Sequence, residues 1–373
     1  MEIASRTVLQ AQLVSWLALT TAGLVGTFAC ASSWAKALLG ALVTLCASVL
    51  AYGTWRKRQG QLPFDEAEQA SEAARRGGIG RHVTTADGRV VEYIVYGSQR
   101  GDARVMVQMH GAGSSAGLMC SWNAALFREL NLRGIAPSMP NSGYSDIHPA
   151  RRIAQFPRDD LAPILRAEGV SEFLVDGHSL GTAHAMAIAW YFAPDHAEHR
   201  CVGMGLNCPY LSSALCKELK FPCDADDLWI VRNNDPRAWH AAWNFALADL
   251  SNLLPFLSPP LKFGHLIWPA FAKARPWAFP AVAEDQKRTG ARGYVGQGYE
   301  MTCYAINSVW GFDPRDIRTK NVAVWWALDD GFPGCPPVHG RWLSELFESK
   351  PGVHTTNRSL DIGFGHWTYA PSL

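Results

Sequence analysis

The residues best suited to chemistry are Gly177-His178-Ser179-Leu180-Gly181. A serine hydroxyl is a poor nucleophile at neutral pH and needs a base within hydrogen-bond reach. It also needs a backbone that thrusts its oxygen forward. Glu172-Phe173-Leu174-Val175-Asp176 comes before the pattern, a short apolar run that reads as a buried strand. Thr182-Ala183-His184-Ala185-Met186-Ala187-Ile188-Ala189-Trp190 follows, rich in helix-forming Ala. Strand, sharp turn and helix together predict a nucleophile elbow with Ser179 in a strained conformation. Glycines flank it because strand and helix approach too closely for larger neighbours.

Other residues fall in an order that could serve this serine. Val105-Met106-Val107-Gln108-Met109 reads as a buried strand and runs into His110-Gly111-Ala112-Gly113-Ser114-Ser115. A small-residue loop at a strand end can offer a backbone N–H to a reacting carbonyl oxygen. Downstream, Val322-Ala323-Val324-Trp325-Trp326-Ala327-Leu328 reads as another buried strand and ends in Asp329-Asp330-Gly331. Gly363-Phe364-Gly365-His366-Trp367 comes near the C-terminus. A neutral histidine can take the serine proton and return it to the leaving group. A carboxylate behind the imidazole fixes its tautomer and stabilises the imidazolium. The chain order is therefore small-residue loop, Ser, Asp, His.

With Met139-Pro140-Asn141-Ser142-Gly143-Tyr144-Ser145 added, residues from about 82 to 373 resemble the α/β-hydrolase superfamily, in its epoxide-hydrolase-like, cap-bearing branch. The resemblance implies Ser179 as nucleophile, His366 as base and Asp330 as acid. It implies an oxyanion hole from the N–H groups of Ala112 and Leu180. In that family the acid lies three residues after a small residue closing the strand. Ala327 plays that part and favours Asp330, with Asp329 as the alternative. Three departures matter. The loop after the fourth strand, usually Asp-Arg-Pro-Gly, reads Ser138-Met139-Pro140-Asn141, which predicts loss of a structural salt link. A Ser nucleophile argues against epoxide hydrolysis and dehalogenation. Only seven residues follow His366, where the family usually adds a last helix on the sheet.

Four further residues have structural readings. His110 is expected to shape its loop, and His178 to point toward the pocket floor or a helix. His184 is expected in the core, and Asp176 as a hydrogen-bonding group at a strand end.

At 373 residues and 48% hydrophobic content, the chain can build a sizeable core. A net charge of +1 offers no electrostatic case for nucleic acid. No Walker or dinucleotide motif appears, so no cofactor is expected. The nine cysteines form no Cys-x-x-Cys pair and the histidines lack metal spacing, so no metal is expected either. Unclustered cysteines favour thiols in a reducing compartment, although Cys216 and Cys223 could bridge in an oxidising one. There is one Asn-x-Ser sequon, Asn357-Arg358-Ser359.

The N-terminus is apolar in two stretches, Val8 to Ala29 and Trp34 to Tyr52, each long enough to cross a bilayer as a helix. Arg56-Lys57-Arg58 follows and places the rest of the chain on the cytosolic side. Ala29-Cys30-Ala31 admits a signal-peptide reading of the first stretch, but Glu2 weakens it. The expected organisation is a two-helix multi-pass membrane anchor at 1–58 and a linker at 59–81. The hydrolase core spans 82–209 and 320–373, with a Trp-rich helical cap at 210–319 between its halves. The expected fold class is α/β, a mostly parallel sheet with helices on both faces. The expected activity is that of a membrane-anchored serine hydrolase cleaving a small-molecule or lipid ester through an acyl-enzyme. The alternatives are an acyltransferase on the same fold and a ligand-binding or scaffold protein without turnover.

Overall fold

The computed structural model describes residues 80–111, 114–140, 142–146, 148, 152–221, 273, 281, 285, 310–330 and 334–360. The apolar N-terminal stretches, the linker, most of the expected cap, Ala112 and His366 lie outside them. No helix among the described residues is long and apolar enough to cross a membrane.

Arg81–Thr84 (β1) and Val90–Gly97 (β2) form a hairpin, pairing antiparallel from Arg81 opposite Tyr93 to Thr84 opposite Val90. Gly88 sits at its tip with φ 86°, a left-handed value that suits glycine. The alternation then begins. Arg104–Met109 is β3, Ala116–Glu129 α1 and Leu132–Pro137 β4. After one turn each of 3₁₀ and π helix comes Ala162–Ala167 (α2). Next are Glu172–His178 (β5), Gly181–Tyr191 (α3), Arg200–Asn207 (β6) and Ser213–Leu219 (α4). Asn321–Ala327 (β7), Pro337–Glu348 (α5) and His354–Leu360 (β8) complete the described elements.

All eight strands form one sheet in the order β1-β2-β4-β3-β5-β6-β7-β8. From β4 through β8 neighbours pair parallel, and β2 runs antiparallel to both β1 and β4. Parallel strands need crossover connections, and α1, α3 and α5 supply them. Strands buried on both faces read as continuous apolar runs. Side chains alternate across the pleat, so the sheet has two cores. One holds Val91, Tyr93, Val107 and Ile135 against α3 residues such as Met186 and Ile188, and against Leu343 and Phe347 of α5. The other packs Ile94, Tyr96 and Ala136 under Met119, Trp122 and Phe127 of α1.

Beside α1, that second face carries a groove of about 610 Å³ lined by Met106, Leu174, Met204 and Trp325. A polar row runs along its floor. Tyr96 donates to Gln108, whose amide donates to Asp176 at 3.1 Å, and Asn207 donates to the same carboxylate at 2.9 Å. Gly134 makes this possible, since a Cβ there would lie 2.4 Å from the Tyr96 ring. Asp176 is thus a hydrogen-bonding residue as expected, but it sits within β5, two positions before the strand's end, because pairing with β6 continues to His178.

At the far edge, Asn357 of β8 accepts the Val324 N–H at 3.1 Å and donates through Nδ2 to Glu348 at 2.7 Å. One side chain therefore ties β8, β7 and α5 together. No disulfide joins the described cysteines, and Cys216 Sγ lies 3.3 Å from His339 Nε2.

The expected cap opens with α4 and rejoins the core at Trp310, which is buried. Tyr210 and Trp310 stack with ring centroids 6.5 Å apart, so this excursion leaves and returns at one place.

Candidate active site

The C-terminal ends of β3, β5, β6 and β7 open on one edge of the sheet, where open α/β sheets gather their ligand-binding groups. β5 ends at His178, and α3 begins at Gly181. Between them Ser179 holds φ 55°, in the left-handed region that L-residues avoid. Sterics explain the flanking glycines. A Cβ on Gly177 would lie 2.4 Å from the Gly181 carbonyl oxygen, and one on Gly181 would lie 2.2 Å from the Met109 carbonyl oxygen. These obstacles are backbone atoms, which cannot swing aside.

The turn is pinned from both sides. The Ser179 N–H donates to Asn207 O at 3.0 Å. Its carbonyl accepts the Thr182 N–H at 3.0 Å and the Thr182 hydroxyl at 2.6 Å. That hydroxyl in turn accepts the Tyr210 N–H at 2.9 Å, at the start of the inserted segment. Leu180, at the start of α3, belongs to the turn whose N–H groups have no acceptor within the helix.

The small-residue loop lies against the serine. A Cβ on Gly111 would come within 3.2 Å of Ser179 Cβ. His110 shapes this loop, as expected. Its Nδ1 lies 2.9 Å from Gly111 O, and its Nε2 accepts the Met139 N–H at 3.0 Å. A carbonyl can only accept, so Nδ1 carries the proton and the ring is neutral. Ser114 donates to the same Gly111 carbonyl at 2.9 Å. His178 is buried beside Gly111. His184 is fully buried, with Phe156 edge-on to it at 5.1 Å.

The two aspartates after β7 differ in burial: Asp330 is buried and Asp329 exposed. The strand closes at Ala327, the small residue expected there, and Asp330 stands three positions on.

Three neighbours of the site escape motif reading. Cys335 is buried with Sγ 3.8 Å from Ser179 Oγ. Glu92, in the middle of β2 and fully buried, accepts the Ser138 hydroxyl at 2.7 Å and the Tyr144 N–H at 3.0 Å. It ties Ser138 and Tyr144, two points on the loop after β4, to the sheet. A charged residue inside Val90-Val91-Glu92-Tyr93-Ile94-Val95 was the available signal. Asp285, from the inserted segment, accepts two hydrogen bonds from Ser115. Nothing in its local sequence marks it.

Two clefts among the described residues, about 1140 Å³ beside Asp87 and Arg166 and the 610 Å³ groove, do not include Ser179 in their walls.

No family model matches the chain. No curated protein matches it. Solved structures do. An enol-lactonase from Burkholderia xenovorans is 17% identical with a TM-score of 0.51, aligned over 76% of this chain and 92% of its own. A thermophilic esterase from Thermogutta terrifontis is 15% identical with a TM-score of 0.50, over 78% and 92%. Naproxen esterase from Bacillus subtilis is 12% identical with a TM-score of 0.50, over 81% and 92%. At such identities the likeness is one of fold. Together with the strand order and the elbow, it establishes that this chain has the α/β-hydrolase fold.

Proposed function

We propose that the protein is a serine hydrolase that cleaves a carboxylic ester. The observation that carries this reading is Ser179, a non-glycine residue at φ 55° between β5 and α3. Asn131, Cys208 and Lys220 hold similar angles, but at Ser179 the angle falls in a two-residue turn from a parallel strand into a helix, the setting of a nucleophile elbow.

In this reading Ser179 Oγ attacks the ester carbonyl while His366 takes its proton. The N–H groups of Ala112 and Leu180 receive the oxyanion, and the alcohol leaves with a proton from His366. Water then repeats the sequence on the acyl-enzyme. Asp330 orients His366, and its burial supports it over the exposed Asp329. The Gly111 carbonyl is fixed by His110 and Ser114.

An acyltransferase would share the acyl-enzyme and differ only in the acceptor. The segment at 210–319 serves as a cap, as in the epoxide-hydrolase-like branch. A lipophilic ester fits the anchor read at 1–58.

Ser179→Ala should remove fluorophosphonate labelling and lower ester turnover by roughly 10⁴-fold or more, because triad members act as a unit. Asp330→Asn should cost far more activity than Asp329→Asn. Labelling retained in Ser179→Ala would move the nucleophile elsewhere, and the reverse ranking of the aspartates would move the acid to Asp329.

A further inference from the structure

We propose that Asp285 is a positioning residue for the oxyanion loop, an inference that rests on Ser179 as nucleophile. Asp285 and Ser115 are 170 residues apart in sequence and both are buried. One carboxylate oxygen of Asp285 accepts the Ser115 N–H at 2.8 Å, and the other accepts the Ser115 hydroxyl at 2.5 Å. Ser115 is the N-cap of α1, and its Oγ also accepts the Gly117 N–H at 3.2 Å.

This arrangement does three things at once. Both oxygens of the carboxylate are used, which fixes the position and the rotation of Ser115. The carboxylate lies at the positive end of a 14-residue helix, where a negative charge is favoured. The neighbouring Ala116 N–H goes to Ser138 Oγ at 3.2 Å, and that hydroxyl donates to Glu92. Two buried carboxylates from distant parts of the chain thus hold the start of α1.

The described residues on either side of 112–113 are therefore both held in place. His110 fixes the N-terminal side by bridging Gly111 O and the Met139 N–H. Asp285 fixes the C-terminal side. A backbone donor stabilises an oxyanion only if it is held where charge develops, and a misplacement near 1 Å can cost about 100-fold in rate. Through Asp285 the inserted segment thereby contributes to the catalytic geometry.

The test compares wild type, Asp285→Ala, Asp285→Asn and Ser115→Ala in the full chain. Each is assayed for Ser179 labelling, kcat, KM and binding of a trifluoromethyl ketone that mimics the tetrahedral adduct. Asp285→Ala should lower kcat about 10- to 100-fold with KM within about twofold, and weaken ketone binding by a similar factor. Asp285→Asn keeps an acceptor for the Ser115 N–H and should fall between Ala and wild type. The losses from Asp285→Ala and Ser115→Ala should be less than additive, because they break a shared contact. If Asp285→Ala does not fold, Asp285→Asn and Ser115→Ala carry the same comparison. Folded variants with wild-type kcat, or with only KM raised, overturn the proposal and leave the nucleophile intact. A wild type that neither labels nor turns over esters overturns both.

Discussion

Ser179 shows how much a single backbone angle decides. Its left-handed conformation should cost about 1–2 kcal/mol for an L-residue, and glycine escapes most of that. Two inactive variants should then differ in stability. Ser179→Gly should be more stable than Ser179→Ala by about 1 kcal/mol, read as denaturation midpoints at equal m-value. Equal stability would mean that the turn is unstrained and that its geometry needs another account. The flanking glycines behave differently. They are required by the nearness of backbone oxygens, not by their own angles, so no rotamer change would admit alanine at Gly181.

Among elements, Glu168 joins the most. It caps the C-terminus of α2, and its side chain is almost fully buried. Tyr93 of β2 donates to it at 2.7 Å, Arg81 of β1 at 2.7 and 2.9 Å, and Arg133 of β4 also pairs with it. Burial opposes its ionisation, but the Tyr93 and Arg81 hydrogen bonds outweigh this and lower its pKa. Burial, then the bond to Glu168, pushes the Tyr93 hydroxyl up to about 12. The signs follow by linkage. A lowered carboxyl contributes stability that is fully present above the ordinary Glu value, about 4.3, and is lost as pH falls through the folded value. A raised phenol contributes stability present below about 10 and lost as pH rises through about 12. Melting temperature should therefore drop below about pH 4, and Glu168→Gln should flatten that acid limb relative to wild type. An unchanged slope in Glu168→Gln would assign the acid sensitivity to other groups.

The same elements show what could be read beforehand. β3, β5 and β7 are legible because strands inside a covered parallel sheet must be apolar on both faces. The elbow is legible because only glycine fits beside it. β8 is not: His354-Thr355-Thr356-Asn357-Arg358-Ser359-Leu360 is an edge strand, half in water, with no apolar run to betray it. Asp285 and Glu92 are beyond motif reading for another reason. Their partners are far along the chain, so only folding brings them together. Ser179, Leu180 and Asp330 stand at the expected strand and helix ends, while Ala112 and His366 lie outside the described residues.

For the molecule as a whole, the anchor read at residues 8–29 and 34–52 gives the plainest test. The full chain should stay with the membrane fraction through an alkaline carbonate wash, and a chain starting at residue 60 should be released. Release of the full chain would refute the anchor and remove the main argument for a lipophilic substrate.

Which side of the bilayer the hydrolase fold occupies is a separate matter, and Asn357 bears on how it can be measured. Its Nδ2 is the atom to which an oligosaccharide would be joined, and the fold has already committed that atom to Glu348 at 2.7 Å. Its Oδ1 is committed to the β7 backbone. Once folded, the edge strand holds this amide by both of its polar atoms, so a glycan would have to be attached before β8 is paired. A glycan on Asn357 would place this fold on the lumenal side, whereas a bare Asn357 by itself leaves the side open. The turn at Gly101, where an added side chain meets nothing within 4 Å, is the place to install an acceptor that would speak for the compartment.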